Sequence, residues 1–561
     1  MIQILKTNLA LIVTAIFIGI IISFVAQFFI ISAKEIFYYL YDNPLNIKFN
    51  NFDYNFLPLI ACMFAATLIS FFMKYFKVQR WHGPADSIYA ANQKEGALNV
   101  KTGMLSTLVS FLSISGGASV GIYGPLVHFG ATLGVLLRRL AFMPRIPHDI
   151  IIGSGVAAAI SAGFGSPIAG IIFAHEVVLR HFSLKAITSI ALCSITASFT
   201  ATQMNLVSPI FRFEEVNFNF ADALPGLITI GPASALIALL FMYLLLNMPK
   251  ISKQIIPRPH FSPFFPAFLC GIIGMFIPEV LGLGIKTITM VITEANLLSF
   301  LIVILFVKLL LTSICIGFGL FGGVFSPSLF LGAMVGAIIF HVPFLGIDES
   351  VLSIFAVAGM AAVASSVIGA PISAVILVLE LTGSYKYAIA SIIPVCLSSL
   401  ITLIFFGSSF FDKQLLARGI NMSLGRENII MSQVQIQHYA SQDYLAFNKN
   451  AEIKFILDSF KQKQVTEGYF IGNENEFLGK IRLIDIIDKK DKISFKYKEK
   501  KFIKLKEEHS LIDAIRILSD FVGENVPIIS DKNILIGVVS EGDVLKLYNQ
   551  FQQEVRSIEK S

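Results

Sequence analysis

A chain of 561 residues that is 55% hydrophobic and only 14% charged, with a mean hydropathy of +0.75, lacks the composition of a soluble multidomain enzyme and reads as a membrane protein. Charge divides it further: residues 426–561 carry 21 basic and 21 acidic side chains, so the formal net charge of +6 belongs to the part before them. A positive surplus in loops around lipid fits the positive-inside bias and leaves no nucleic-acid footprint.

From the amino terminus, 27 uncharged residues run between Lys6 and Lys34. This is too long for a secretory core and is expected to be a retained anchor. Apolar stretches at 7–33, 56–73, 184–203, 223–247, 263–278 and 387–406 are long enough, or nearly so, to span lipid. Others, at 111–137, 150–174, 309–347 and 350–379, are interrupted by Gly and Pro. Backbone broken at membrane depth must be buried in protein or line a wet cavity, and paired interruptions mark transport sites. Cys62, Cys193, Cys270, Cys315 and Cys396 lie in apolar stretches without metal-ligand spacing and read as core thiols.

The broken stretches repeat. Gly155–Val177 aligns without gaps on Gly359–Leu381, matching at nine of 23 positions, among them Gly165/Gly369, Pro167/Pro371 and Glu176/Glu380. Gly117–Gly134 aligns on Gly319–Gly336 through Gly121/Gly323, Pro125/Pro327 and Gly130/Gly332. The membrane body, residues 1–425, is therefore two related halves. Halves of this kind meet at a midplane site where half-helix starts point free N–H groups and positive dipole ends at an anion. Glycines let backbone approach a bare ion, prolines start half-helices, and amide donors replace hydration water.

After Arg426 the sequence becomes soluble α/β in character, in two copies. One spans 430–492 and ends in "FLGKIRLIDII"; the other spans 493–561 and ends in "LIGVVSEGDVLKL". No Ser/His/Asp set, metal cluster or phosphate loop is visible, so neither enzymatic chemistry nor a resident metal is expected.

With these features assembled, the chain resembles the CLC family of chloride channels and anion/proton exchangers, followed by a tandem pair of CBS domains. "GPADS" at 83–87 looks like the first anion-binding loop (Gly83, Pro84, Ala85). "GIYGP" at 121–125 looks like the gating loop (Gly121, Ile122, Tyr123, Gly124, Pro125), and "GGVFSP" at 322–327 like the third (Gly323, Val324, Phe325). "SFF" at 409–411 places Phe411 where the last coordinating residue falls. The resemblance implies an all-α membrane fold of two inverted repeats with broken helices, ahead of an α/β CBS pair. It also implies chloride or another small anion as guest, and a homodimer with a pore in each subunit. A bacterial inner membrane with the tail in the cytoplasm is the expected location.

Four positions depart from the exchanger pattern. Tyr123 stands where the gating glutamate is expected, Val177 where an inner glutamate relays protons, Phe411 in place of a tyrosine, and Pro84 in place of a serine. Within the family, proline at that point goes with nitrate preference. Phenol titrates near pH 10 and valine not at all, so the leading expectation is a passive, proton-uncoupled channel for chloride or nitrate. The first loop, lacking a side-chain donor at Pro84, is expected to bind through backbone amides.

Two other readings stay open: an anion/proton or fluoride/proton antiporter with a non-standard route through Glu176, His175 or His128, and a nucleotide sensor with a poorly conducting membrane body. The repeat position shared by Glu176 and Glu380 favours a common structural role such as capping or pairing, and the two histidines also suit packing. In the tail, the CBS resemblance implies adenine nucleotide held by Asp485 and Asp543 at the ribose hydroxyls. The same aspartates read equally well as helix-start acids.

Overall fold

A computed structural model describes residues 2–560 except 44, 50–51, 94–97, 140–146, 205–218, 343–350, 490–493, 500–501 and 520. It divides into two compact units, Met1–Asn421 and Met422–Ser561, close to the break expected at 425. The expected boundary between the two tail copies, at 492/493, lies outside the described residues.

In the first unit, α1 (Ile2–Asp42) is followed by a hairpin of β1 (Asn46–Phe49) and β2 (Phe52–Asn55), then α2 (Leu57–Tyr75), α3 (Pro84–Ala91) and α4 (Val100–Ser115). Next come α5 (Tyr123–Arg138), α6 (His148–Phe164), α7 (Pro167–Phe173), which continues as a π-helical turn over Ala174–Leu179, and α8 (Leu184–Gln203). The long α9 (Phe220–Ile255) leads to α10 (Phe264–Phe276), α11 (Ile285–Thr293), α12 (Leu298–Gly317) and α13 (Phe325–Phe340). Finally, α14 (Leu352–Ile368), α15 (Pro371–Thr382), α16 (Tyr385–Phe406) and α17 (Phe410–Leu416) close the unit. Among the described residues, six helices are long and apolar enough to cross a membrane.

One of the six, α12, corrects the sequence reading, which opened an interrupted region at 309. No Gly or Pro occurs from Leu298 to Ile316, so nothing stops the helix before Gly317. The break falls at the turn that contains Gly319.

The internal repeat is a structural one. Helix α5 packs on α6 and α6 on α8, as α13 packs on α14 and α14 on α16. Matched glycines share backbone shape: Gly117 and Gly319 have φ of 98° and 100°, and Gly165 and Gly369, ending α6 and α14, have 69° and 78°. Helix crossings repeat as well. A Cβ on Gly130 would lie 2.2 Å from the Gly155 carbonyl oxygen, and one on Gly332 would lie 2.2 Å from that of Gly359. Only glycine permits backbones to pass this closely in membrane helices.

The second unit opens with α18 (Gly425–Gln433) and contains two copies of one motif. The first has β3 (Ala446–Asn448), α19 (Ile453–Lys463), β4 (Glu467–Ile471), β5 (Phe477–Arg482) and α20 (Leu483–Ile486). The second has β6 (Leu505–Lys506), α21 (Leu511–Leu518), β7 (Val526–Ile529), β8 (Leu535–Val539) and α22 (Glu541–Lys560). In each three-stranded sheet the first pair is parallel and the second antiparallel. Each copy has its own apolar core, around Ile456, Phe460 and Phe470 in the first and around Leu511, Ile528 and Val539 in the second.

Candidate functional site

The two halves meet through backbone. Gly121 N–H donates to the Gly323 carbonyl at 2.8 Å, and Gly323 N–H donates to the Gly121 carbonyl at 2.6 Å. Side chains are excluded here, since a Cβ on Gly323 would lie 2.6 Å from the Gly124 nitrogen. This reciprocal bridge sets the starts of α5 and α13 beside each other. First-turn N–H groups have no helical acceptor upstream, and two dipole positive ends reinforce one another at this point.

Tyr123 opens α5 and Phe325 opens α13. Their ring centroids are 6.0 Å apart and inclined at 71°. Phe164, the last residue of α6, stacks on Tyr123 at 3.7 Å and lies 5.2 Å from Phe325. An apolar cavity borders all three rings. Tyr123 is 4% exposed, yet among the described residues its hydroxyl has no hydrogen-bond partner, and neither has the hydroxyl of Ser326, also 4% exposed. Buried polar atoms are almost always satisfied, so two unsatisfied hydroxyls at apposed helix starts leave two donors facing the point where the helices meet. The sequence reading missed Phe164 and Ser326. Ser326 was available as the hydroxyl following Phe325, whereas nothing local distinguishes Phe164 among 51 phenylalanines.

The first loop lies against this centre: Pro84 Cγ is 3.7 Å from where a Cβ on Gly124 would sit, and the Phe321 ring is 3.5 Å from the same point on Gly83. Ala85 is fully buried. Here the expectation of free backbone donors needs correction. Gly83 N–H donates to the Asp86 carboxylate at 2.9 Å and proline has no N–H, so neither of the first two positions of this loop presents a free amide. Helix α17, which packs against α3 and α14, carries Phe411, buried but without a hydroxyl to offer.

The remaining candidates have separate partners. The Glu176 carboxylate accepts from Ile372 N–H and Ser373 N–H at 3.0 and 2.8 Å. His175 pairs through Nδ1 with the His181 carbonyl at 2.9 Å and stacks on Phe182. His128 pairs through Nδ1 with the Ser87 hydroxyl at 2.8 Å, and among the described residues neither its Nε2 nor that of His175 has a partner. Among the described residues no hydrogen bond joins one of these three to another. Val177 is buried in the π-helical turn.

In the tail, Asp485 is engaged by Arg482 at 3.0 and 3.2 Å, and these bonds raise the Arg482 guanidinium above its ordinary range. Asp543 accepts from Ser540 N–H and hydroxyl at 3.2 and 2.6 Å, a cap on the start of α22. Both aspartates therefore have intramolecular partners. Among the described residues no group of His, Cys, Asp and Glu could hold a metal ion.

Comparison with known proteins places the chain in a family and a fold. The family model described as voltage gated chloride channel matches residues 64–403, and that described as CBS domain matches 496–550. A voltage-gated ClC-type chloride channel ClcB of Escherichia coli (strain UMN026) is 24% identical over 350 residues, covering 62% of this chain and 82% of that protein. Among solved structures, a slow cyanobacterial Cl-/H+ antiporter aligns at 22% identity and a TM-score of 0.64, covering 73% of this chain and 98% of that one. A CLC-type fluoride/proton antiporter aligns at 20% and 0.60, covering 72% and 97%. A eukaryotic CLC transporter aligns at 16% and 0.62 over 96% and 98%.

Proposed function

Because the chain belongs to the voltage-gated chloride channel family, we propose that it is a passive, proton-uncoupled pathway for chloride or nitrate. The observation that carries this reading is the pair of partnerless hydroxyls, Tyr123 and Ser326, at the starts of α5 and α13, with a phenol where a carboxylate gate is expected. The anion is held by first-turn amides of residues 122–124 and 324–326 together with these hydroxyls. Neither donor set carries full positive charge, so the ion is bound without being trapped.

Uncoupling follows from titration chemistry. At Tyr123 and Val177 no group takes up and releases a proton near neutral pH, and the Glu176 carboxylate and the Nδ1 atoms of His175 and His128 are bonded to three different partners rather than to one another. The same reading includes a homodimer in a bacterial inner membrane with the tail in the cytoplasm, and a tail that steadies the assembly. Adenine nucleotide in the tail requires Asp485 to release Arg482 and Asp543 to release its helix cap.

Reconstitution tests the proposal. Liposomes holding the protein and a chloride gradient are followed with a chloride electrode while internal pH is recorded. The expected result is chloride efflux with no proton movement against its gradient. Uphill proton transport in fixed ratio to chloride assigns the protein instead to the exchangers, the class of two structures it resembles, a Cl-/H+ antiporter and a fluoride/proton antiporter.

A further inference from the structure

The acid missing from the gating loop has a counterpart on another helix. Asp86, 13% exposed, sits in the first turn of α3. Its carboxylate takes the Gly83 N–H at 2.9 Å, two bonds from Arg80 at 2.7 and 3.1 Å, and one from Arg418 at 2.9 Å. A lone capping carboxylate needs no arginine, let alone one 332 residues distant in the chain. Through its loop the cluster lies beside the start of α5, with Pro84 against Gly124 and Gly83 against Phe321. Charge-assisted bonds of this kind are short, strong and directional, and all of these donors suit chloride or nitrate as well as they suit a carboxylate.

We infer that Asp86 is a tethered anion that competes with the permeating ion for the Gly83 amide, Arg80 and Arg418, and thereby sets anion affinity at the α3 end of the pathway. This rests on the pore reading above. Two guanidiniums against one carboxylate leave the cluster net positive, so it attracts anions. Asp86 prevents the arginines and helix start from binding them too tightly for release. Removing the carboxylate's charge strengthens anion binding, and removing an arginine weakens it.

The test uses the full-length purified protein, titrated calorimetrically with chloride and then assayed for flux in liposomes, with thermal melts run alongside. Asp86→Asn keeps a side-chain oxygen for the Gly83 N–H and is expected to tighten chloride binding at least threefold. Arg418→Gln is expected to weaken it at least threefold, and both shifts shrink at high ionic strength. The opposite signs are decisive, since a merely structural cluster gives two variants that melt earlier and change affinity in the same direction or within twofold of wild type, which overturns the inference. Wild-type flux with no such opposition overturns this inference alone. Absence of chloride binding and flux in wild type and both variants overturns the pore reading as well.

Discussion

Glu176 and Glu380 hold the two halves together by exchanging helix caps. The Glu176 carboxylate receives the N–H groups of Ile372 and Ser373 at the start of α15, and that of Glu380 receives those of Ile168 and Ala169 at the start of α7 at 2.9 and 2.8 Å. Each acid thus neutralises the positive end of the other half's helix, while two N–H donors that have no acceptor within the helix are satisfied. The shared repeat position is a capping position.

Removing either charge should therefore lower stability without altering proton handling. Glu176→Gln and Glu380→Gln should each cost about 1–2 kcal/mol, the range for lost caps and charge-assisted bonds. They should leave the pH profile of chloride flux unchanged. Melts in detergent and flux measured across pH 5 to 8 check this, and a pH profile shifted only by the Glu176 change would return that residue to the list of proton carriers.

Tyr123 and Ser326 should act as ligands through their hydroxyls. Tyr123→Phe and Ser326→Ala each remove one neutral hydrogen bond, so chloride affinity should fall roughly three- to tenfold per change, equivalent to about 0.5–1.5 kcal/mol. Fold stability should hold or improve, because a buried donor with no protein partner disappears in both variants. Titration calorimetry and melts on the same samples separate the two effects.

Anion preference should answer to Pro84. Serine there restores an N–H and adds a hydroxyl beside Gly124, giving compact chloride a localised donor pair. The nitrate-to-chloride permeability ratio in Pro84→Ser should drop by a factor of about three, on the order of one added hydrogen bond. Reversal potentials under paired anion gradients measure it, and an unchanged ratio leaves Pro84 with only a helix-starting role.

The tail should be indifferent to nucleotide as it stands. Calorimetric titration of the full chain with ATP, ADP or AMP is expected to give no binding heat, because Arg482 and Ser540 hold the two aspartates. Binding that disappears in Asp543→Ala would show that the helix cap yields to a ribose.

The membrane body's plan was legible in the chain because its signals are local and repeated. Gly165 and Gly369 end helices in left-handed backbone, Pro167 and Pro371 begin the next ones, and such turns are encoded by the residues that occupy them. The continuity of α12 was missed because the stretch at 309–347 was taken as one region interrupted by Gly and Pro, whose first glycine is Gly317. Asp86 was passed over for a different reason. A helix-start acid is common, and only the arrival of Arg418 from beyond α17 distinguishes this one.

Which helices break, and where, follows from the positions of Gly and Pro in this sequence, since those residues set the allowed backbone at each turn. Which donors remain free was decided by tertiary structure. Among the described residues the hydroxyls of Tyr123 and Ser326 are left unclaimed, Asp86 is met by an arginine 332 residues away, and the caps of α7 and α15 come from acids 211 and 197 residues away. Hydrogen bonds saturate: once a side chain reaches a donor, that donor is lost to any ligand, and only the folded arrangement determines which side chain arrives.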